Sequence, residues 1–386
     1  MDNMNIGAKA RQKHYALPLD AAKVLGFIKK NTVVIIAFVA AAVTSIIVPV
    51  DSEYLDYFDY KTLTCLFCVL AVVCALKNID FFYLLACRIV SAFKNTRLCV
   101  LAIVFITFFG SMLIANDMAL LTFLPLGFFV LDSTGKRKYM AFTFIMQNIA
   151  ANLGGMLTPF GNPQNLYLYS RFEIPTGEFM QIMSVPFAVS VVLITACCFI
   201  FVRSEPLEIE AREVALEPKR TILYLVLFVL SIVIVFRVIP YVIGLFVIPA
   251  VLLFADRKAL KDVDYGLLLT FVFFFVFAGN MARIDAVRDF FSFLLEKNTL
   301  VFSAMSCQVI SNLPSSLLIS QFTDNYTDLL RGVNVGSVGT LISSLASLIT
   351  FREYVKYNPG KTLYYIAMFS AFNFAFLFIL IAVCAL

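Results

Sequence analysis

The decisive stretch of this chain reads Gly154-Gly155-Met156-Leu157-Thr158-Pro159-Phe160-Gly161-Asn162-Pro163-Gln164-Asn165. It interrupts the apolar segment Tyr139–Tyr169, which is long enough to cross a bilayer, since a helical span needs about 20 residues. Proline removes a backbone donor and kinks a helix, so this segment cannot continue as one smooth helix. We therefore expect a discontinuous transmembrane helix, whose irregular backbone must face protein or a wet cavity rather than lipid.

The composition is typical of a polytopic membrane protein. Of the 386 residues, 61% are hydrophobic and 14% are charged, whereas soluble domains have roughly 45–50% apolar and about 25% charged residues. The net charge of +5 does not indicate a nucleic-acid partner, because most basic residues lie in short loops between apolar runs. We expect an all-α protein that is surrounded by membrane lipid.

The residues that common enzymes need are scarce. His14 is the only histidine, and the sequence has no Gly-rich phosphate-binding loop. Nearly all nine cysteines lie inside apolar runs, and the pair Cys65 and Cys68 is more typical of buried packing than of a redox or metal pair. We therefore expect no enzyme activity and no cofactor.

The apolar run Leu98–Leu131 is too long for a single span. As one helix its 34 residues would reach about 51 Å, against a hydrocarbon core of about 30 Å. Basic residues flank both ends of the run, namely Lys94, Arg97, Lys136, Arg137 and Lys138. Because basic loops stay cytoplasmic, both ends lie on the same side, and the run predicts a re-entrant hairpin over 98–131 that enters from the cytoplasm.

The distribution of basic residues orients the rest of the chain. The rule assigns to the cytoplasm the N-terminus 1–30, the linker 204–220 with the adjacent Arg203, and the loops 77–97, 132–139, 256–263 and 352–361. Together these segments hold 23 of the 30 Lys and Arg residues. The same rule makes 300–322 a second hairpin, which enters from the outside, and it places the C-terminus outside. Residues 16–28 predict a short amphipathic helix on the membrane surface.

An internal repeat relates two halves, 31–203 and 221–386. Asp59-Tyr60 recurs as Asp264-Tyr265 and Ile79-Asp80 as Ile284-Asp285, both at a spacing of 205 residues. Further along, Asn95-Thr96 recurs as Asn298-Thr299 and Asn116 as Asn312. Asn152-Leu153-Gly154 recurs as Asn334-Val335-Gly336, which pairs the broken span 139–169 with 335–351. Because corresponding spans cross in opposite directions, the pattern predicts an inverted-topology repeat, an architecture in which secondary transporters bind substrate near the midplane at the repeat interface.

Polar residues mark the tip of each predicted hairpin. Asp117, in Ala115-Asn116-Asp117, is the only ionisable residue of its run, and such a carboxylate usually marks an ion path or a polar site. Alternatively, Asp117 only caps the returning half-helix, and the two roles are compatible. The second tip reads Ser311-Asn312-Leu313-Pro314, with proline suited to a first helical turn. Helix N-termini at both tips favour an anion, and free carbonyls favour a cation.

The second broken span has lost the prolines of the first. Its stretch from Gly336 to Ser347 keeps small and hydroxyl-bearing residues, among them Thr340, Ser343 and Ser344. Close helix packing and ligand binding both explain such residues, and both explanations stay open.

The two tips, the break and the inverted repeat together resemble the ion transporter superfamily, over nearly the whole chain. That group includes sodium-coupled dicarboxylate and citrate carriers, arsenite permeases and a sodium–proton antiporter branch. In the dicarboxylate symporters each tip carries Ser-Asn-Thr, so both threonine positions differ here. The Ala-Asn-Asp tip is more similar to the arsenite permeases, whereas the Gly-Asn-Pro-Gln-Asn break is more similar to the carboxylate carriers.

The resemblance implies two sodium sites with a substrate site between them. One sodium would lie among Ser111, Ala115, Asn116 and Gly161. Its counterpart would lie among Cys307, Ser311, Asn312 and Ser343, and it would be weaker because a thiol is a poor sodium ligand. The substrate would contact Asn116, Asp117, Asn162, Pro163, Ser311, Asn312 and Ser344. The resemblance also implies a homodimer and an elevator motion of the hairpins and broken spans against the remaining helices.

The leading hypothesis is a sodium-coupled, or else proton-coupled, symporter of a small carboxylate or similar anion in a bacterial plasma membrane. A sodium–proton antiporter, with Asp117 as the shared ligand of cation and proton, and an arsenite-type permease are the alternatives. Paired hairpins disfavour a permanently open channel. An intramembrane enzyme would need a nucleophile and a base, or a metal cluster, which one aspartate without histidine does not supply.

Overall fold

The computed structural model describes residues 32–207 and 217–386, which form helices joined by short connections. Within these ranges there is no β-strand apart from one isolated bridge between Asn95 and Pro206. The expected surface helix 16–28, with the rest of the cytoplasmic N-terminus 1–30, and most of the linker 204–220 lie outside the described residues.

The first half of the described chain contains eight α-helices: α1 Thr32–Ile47, α2 Tyr60–Asn78, α3 Phe81–Ser91, α4 Thr96–Ile114, α5 Asn116–Ser133, α6 Met140–Gly154, α7 Pro163–Arg171 and α8 Thr176–Phe201. The second half contains nine: α9 Pro218–Val235, α10 Tyr241–Ala255, α11 Arg257–Lys261, α12 Tyr265–Ala282, α13 Asp285–Ile310, α14 Asn312–Ile319, α15 Tyr326–Val335, α16 Leu345–Tyr357 and α17 Thr362–Cys384.

Six segments of the described chain are long and apolar enough to cross a membrane. They are Tyr60–Asn78, Thr96–Ile114, Thr176–Phe201, Pro218–Val235, Arg257–Ala282 and Thr362–Cys384. Large apolar side chains such as Phe254 and Ile46 are exposed, at 85% and 82% of their full surface. Lipid tolerates such a surface, whereas water penalises large apolar patches. The prediction of an all-α polytopic membrane protein is confirmed.

The repeated Asp-Tyr has the same local role in both halves, because each copy places a capping side chain at a helix start. Asp59 accepts a hydrogen bond from the backbone N–H of Thr62 at the start of α2, and Asp264 accepts one from Leu267 at the start of α12. Such a side-chain oxygen satisfies a backbone donor that the helix itself leaves unpaired. The repeated Asp-Tyr therefore begins a helix twice.

The repeated Asn-Thr behaves in the same way at the entrance of each hairpin. Asn95 accepts a hydrogen bond from the N–H of Arg97 at the start of α4. Asn298, whose backbone is non-helical within α13, accepts one from Val301. The kink at Asn298 divides α13 into an amphipathic part and a second part, 299–310, which enters the second hairpin.

One set of helices, which we call the framework group, consists of α1, α2 and α9–α12. The rings of Phe38 on α1 and Phe273 on α12 are 5.2 Å apart. Gly244 on α10 faces Cys68 on α2, where an added Cβ would lie 3.3 Å from the Cys68 sulfur. These close contacts bring the helices of the framework group together beside α2.

A second set, the core group, consists of α4–α8, residues 299–310 of α13, and α14–α17. All 15 residues of α6 are buried, so α6 lies in the interior of this group rather than against lipid. Aromatic contacts attach its neighbours: the rings of Phe144 and Tyr354 are 6.2 Å apart, and those of Phe128 and Tyr357 stack at 3.7 Å. The fold is therefore arranged around a buried, interrupted helix.

Two pairs of helices in the core group fold back on themselves. Gly110 on α4 faces Phe123 on α5, where an added Cβ would lie 2.5 Å from the ring. The hydroxyls of Ser306 on α13 and Ser315 on α14 are 2.8 Å apart. In each pair the contacting residues lie on either side of the tip, so α5 returns along α4, and α14 returns along the end of α13.

The second broken helix is longer than the apolar pattern predicts. It begins at Tyr326 and ends at Tyr357, beyond both limits of the expected span 335–351. Asp328 and Arg331 make α15 as polar as a loop, so the apolar pattern of the sequence does not predict this helix. The interruption itself lies between α15 and α16, within the stretch where glycine and hydroxyl residues are concentrated.

The base of the first hairpin is fixed to the segment that follows α8. Glu205 accepts hydrogen bonds from Lys136 and Lys138 at 2.6 Å each, and its backbone carbonyl accepts one from Thr96 N–H. The hydrogen bond from Lys136, followed by that from Lys138, lowers the pKa of the Glu205 carboxyl to about 2. The carboxylate therefore stays ionised at any physiological pH.

Glycine allows the hairpins to approach the interrupted helices in both halves. A Cβ added to Gly154 on α6 would lie 2.1 Å from the carbonyl oxygen of Phe108 on α4. A Cβ added to Gly336, after α15, would lie 2.8 Å from the carbonyl oxygen of Ala304 on α13. Both distances are far below van der Waals contact, so any side chain would push the hairpin away.

We predict that Gly154→Ala and Gly336→Ala each lower the free energy of unfolding by roughly 1–3 kcal/mol or more, because a rigid backbone oxygen occupies the space of the new methyl group. The midpoint of thermal unfolding in detergent measures the effect. Gly177→Ala on α8 is the matched control, since nothing lies within 4 Å of its added Cβ. Equal midpoints in all three variants would contradict the packing described here.

Candidate functional site

The two hairpin tips have the same backbone conformation. Ala115 and Ser311 have φ/ψ of 64°/153° and 74°/158°, in a region that residues other than glycine rarely adopt. Each is followed by an asparagine that begins the return helix. The side-chain oxygens of Asn116 and Asn312 both accept a hydrogen bond from the next backbone N–H, at 2.9 Å. One strained residue and one asparagine thus build each tip, and such strain is often found at functional sites.

The N-termini of four helices are linked in two pairs, one at each tip. Asn116 begins α5 and Asn162 precedes α7, and both side chains donate to Asn152. The N–H of Asn312, at the start of α14, donates to the carbonyl of Ser343, next to the start of α16. N-terminal N–H groups carry partial positive charge. This end of each helix is a ready site for an anion.

Three of these four N-termini lack a side-chain cap. No side-chain capping bond forms at Ala115, Asn162 or Ser311, before α5, α7 and α14 respectively. Ser344 does cap α16, through the N–H of Ser347 at 3.2 Å. At α14, however, the N–H groups of Asn312 and Leu313 already donate to Ser343 O and to the Asn312 side chain, and Pro314 has none, so α14 offers its dipole rather than a free backbone N–H.

The first tip lies beside the middle of a membrane-crossing helix. Ala115 and Asn162 line a cavity of about 10 Å³ together with Leu66, Val69 and Leu70, which are central residues of α2. This volume is close to the minimum for one water molecule. The tip therefore meets the framework group half-way along α2, and the space between them has the size of a water molecule or small ion.

A larger cavity of about 170 Å³ lies beside the return helix α5. Lys77 and Asp80, at the end of α2, line one side, and Leu121 and Pro125 line the other. Leu121 and Pro125 are four and eight residues beyond Asp117, so the three residues share one face of α5. The cavity therefore continues along the helix face that carries Asp117.

Asn152 on α6 holds the first tip in place through a hydrogen bond to its asparagine. Its side-chain oxygen accepts a hydrogen bond from Asn116 at 3.2 Å, and its side-chain nitrogen donates to the carbonyl of Asn148 at 3.2 Å. Asn148 continues the chain of amides to Asn373 on α17, at 3.4 Å. Because a backbone carbonyl can only accept, the Asn152 amide has a single possible orientation.

Asn334 on α15 fixes the first broken helix from the other half of the protein. Its side-chain nitrogen donates to Leu330 O at 2.9 Å and to the Asn165 side-chain oxygen at 2.6 Å. Its own oxygen accepts from Asn162 at 3.4 Å. Asn162 also donates to Asn152 O at 3.4 Å, so its nitrogen faces the protein interior.

Three polar atoms at the expected substrate positions are buried without a hydrogen-bond partner in the described structure. They are a carboxylate oxygen of Asp117, the side-chain oxygen of Asn162 and the side-chain nitrogen of Asn312. Folded proteins satisfy nearly all buried polar atoms, so each exception requires an explanation such as a ligand, an ion or a water molecule. These three atoms lie on the two tips and on the first break. They belong to a set of ten such atoms in the described residues, which also includes Gln164 Nε2 at the break.

The remaining residues of the expected sites already have partners within the protein. Around the first tip, the hydroxyl of Ser111 donates to Phe108 O at 2.8 Å, and Pro163 begins α7. Gly161 packs so closely on Gly155 that an added Cβ would lie 2.3 Å from the Gly155 carbonyl oxygen. The described structure therefore places these residues in one neighbourhood with Ala115.

Around the second tip the expected ligands are less suited to a cation. The thiol of Cys307 donates to Ser303 O at 3.2 Å, and the hydroxyl of Ser343 donates to Ser337 O at 2.8 Å. The hydroxyl of Ser344 serves as the cap of α16. Only Ser311, Asn312 and the carbonyl of Ser343 come together at the tip, through Ser311 Oγ and Asn312 N–H.

Sequence reasoning did not assign any role at the site to Asn148, Asn165 or Asn373, and it used Asn152 and Asn334 only as markers of the repeat. All five are fully buried amides. Their presence inside apolar segments was a usable signal, because a buried amide must find partners. The identity of those partners was not visible, since Asn334 and Asn162 are 172 residues apart in the chain.

Comparison with known proteins agrees with this geometry. Residues 23–328 match the citrate transporter family. An uncharacterized transporter of Methanocaldococcus jannaschii is 29% identical over 327 residues, which cover 84% of this chain and 90% of that protein. The inner membrane protein YbiR of Escherichia coli is 27% identical over 308 residues, which cover 76% of this chain and 80% of that protein. The resemblance carried by the tips and the break is confirmed: the chain belongs to the citrate transporter family and is a secondary transporter.

Proposed function

We propose that this protein is a sodium-coupled symporter of small carboxylate anions in a bacterial inner membrane. The observation that carries the proposal is the group of unpartnered buried atoms on Asp117, Asn162 and Asn312. A carboxylate oxygen and an amide oxygen are ligands for a hard cation, whereas an amide N–H is a donor for an anion. Membership in the citrate transporter family supports an organic anion as the substrate class.

The cation is proposed to bind beside Asp117. A substrate carboxylate 4 Å from an ionised Asp117 would be repelled by about 4 kcal/mol at an effective dielectric constant of 20. A sodium ion at the tip removes this repulsion and makes anion binding depend on sodium. This dependence is the physical basis of coupling in the proposed mechanism.

The anion is proposed to bind at the N-termini of the half-helices. The starts of α5, α7 and α14 support this location, because the aligned peptide dipoles at a helix N-terminus favour negative charge. The cavity beside α5, with Lys77 at its edge, supports an approach to the tip from the cytoplasmic side.

Transport is proposed to follow an elevator motion of the core group against the framework group, within a homodimer. The division of the helices into two closely packed groups supports such a motion. Contacts between the groups are fewer and local, for example the rings of Phe160 and Phe236 at 5.8 Å and of Tyr167 and Phe275 at 5.6 Å. The two hairpins would be re-entrant and would carry the site between the two faces of the membrane.

Ligand binding to the purified protein tests the proposed function. We expect citrate, succinate or another small carboxylate to raise the apparent melting temperature in sodium chloride but not in choline chloride, because a ligand that binds only the native state stabilises it. Monocarboxylates, dicarboxylates and tricarboxylates are compared at equal ionic strength. The absence of any sodium-dependent shift across the series would rule out sodium-coupled carboxylate transport.

Asp117→Asn tests the cation site. We expect the affinity for sodium to fall at least about tenfold, because the variant removes a charge-assisted ligand, while carboxylate binding persists at saturating sodium. Titration calorimetry with sodium, then with carboxylate, separates the two effects. Asp132→Asn at the end of α5 is the control, since Asp132 pairs with Arg137 on the protein surface. Unchanged sodium affinity in Asp117→Asn would leave Asp117 with a structural role alone.

The proposed orientation is tested by cysteine labelling. We expect Gly135→Cys to react only from the cytoplasm and Gly177→Cys only from the outside, because the basic loops are cytoplasmic. An added side chain meets nothing within 4 Å at either position, although the φ of 68° at Gly135 makes a cysteine there somewhat strained. The background replaces Cys87 and Cys197, the two native cysteines that are not fully buried. Labelling of both positions from the same side would disprove a membrane crossing by the broken span between them, and with it the orientation proposed for the first hairpin.

A further inference from the structure

The two tips share one backbone but differ in the chemistry that they present. At the position after the tip asparagine, the first tip has Asp117, whereas the second has Leu313. One of the two N–H groups of the Asn116 amide donates to Asn152. The amide nitrogen of Asn312 is buried and has no partner in the described structure. The first tip therefore adds a carboxylate oxygen to an amide that the protein already holds, whereas the second tip offers an amide nitrogen with both N–H groups unpaired.

The reason for this difference lies in Asn152 and Asn334, which occupy matching positions in the two halves. Asn152 uses its side-chain oxygen to hold the tip asparagine of its own half. Asn334 instead crosses to the first half, where it accepts from Asn162 and donates to Asn165. Asn312 consequently loses the partner that its counterpart Asn116 has, and its N–H remains free.

The second tip is also poorly equipped to hold a cation. Cys307 stands where the first half has Ser111, and a thiol is a soft ligand that suits sodium poorly. The carbonyl of Ser343 already accepts hydrogen bonds from Asn312 N–H at 2.9 Å and from Ser311 Oγ at 3.4 Å. Leu313 adds no negative charge that would repel an anion.

We propose that the two tips have divided the tasks of coupling: the first tip holds a single sodium ion at Asp117, and the second tip holds a carboxylate group of the substrate through the side-chain N–H of Asn312. One sodium ion per chain then accompanies each anion, in place of a symmetric pair of sodium sites. The inference rests on the proposed function and specifies the stoichiometry and the residue that contacts the anion.

Two matched variants test the division, Asn312→Ser and Asn116→Ser. Serine is neutral and keeps a side-chain oxygen but has no amide nitrogen, so both variants remove the N–H donors of the tip without adding a charge. We expect Asn312→Ser to weaken citrate and succinate binding about 10- to 100-fold at saturating sodium, as the loss of a hydrogen bond to a charged group predicts. The sodium affinity of Asn312→Ser, measured without carboxylate, should stay within about twofold of the wild-type value.

Asn116→Ser should show the opposite pattern. It removes the bond that positions the first tip on Asn152, so sodium affinity should fall while carboxylate affinity at saturating sodium changes little. Equilibrium binding of radioactive sodium to the purified protein should reach one ion per chain, with and without citrate. Two ions per chain, or equal loss of carboxylate affinity in both serine variants, would overturn the division of tasks.

The controls separate this inference from the proposed function. Wild-type protein that binds neither sodium nor any carboxylate would refute the proposed function itself, and the inference with it. Wild-type protein that binds both, combined with a loss of sodium affinity in Asn312→Ser as large as in Asp117→Asn, would refute only the inference. Asn280→Ser, which removes a buried amide of the framework group bonded to Thr44 and Ser45, controls for general destabilisation.

Discussion

An interrupted helix inside a membrane leaves backbone groups unpaired, and this constraint governs the whole structure. Lipid cannot satisfy them, so protein must do so. In this protein the task falls to buried asparagines: Asn165 alone directs its amide nitrogen at the carbonyls of Gly155, Met156 and Thr158, 3.2–3.5 Å away. The break between α6 and α7 exists because side chains replace the missing helical hydrogen bonds.

The same constraint explains why the two halves are packed together at the site. Asn334 comes from the second half and holds the break of the first half, so neither half can form the site alone. Matching contacts support the internal repeat: Thr158 donates to Met112 O at 2.9 Å, and Thr340 donates to Gln308 O at 3.0 Å. Glycine at 154 and 336 lets each hairpin approach closely enough for these bonds to form.

Polarity at the site follows from which atoms this network leaves unused. The amides that satisfy backbone carbonyls have fixed orientations, so the atom that faces the tips is determined by the protein interior. The side-chain atom without a partner is an oxygen in Asn162, a nitrogen in Asn312 and a carboxylate oxygen in Asp117. A site that offers both donors and acceptors near helix N-termini is suited to a cation and an anion together, which is the chemical requirement of symport.

The sequence by itself determined the membrane class, the family, the positions of both tips and the location of the first break. These features depend on local chemistry: hydropathy, proline and glycine in an apolar segment, and capping residues that recur in order. It could not determine where α15 begins, because Asp328 and Arg331 hide a buried helix from any hydropathy window. Nor could it determine which asparagine nitrogen is free, since Asn116 and Asn312 look alike in sequence. Only the tertiary structure decided that, because Asn116 donates to Asn152, 36 positions away, whereas Asn334, the counterpart of Asn152, bonds to Asn162 and leaves Asn312 without a partner.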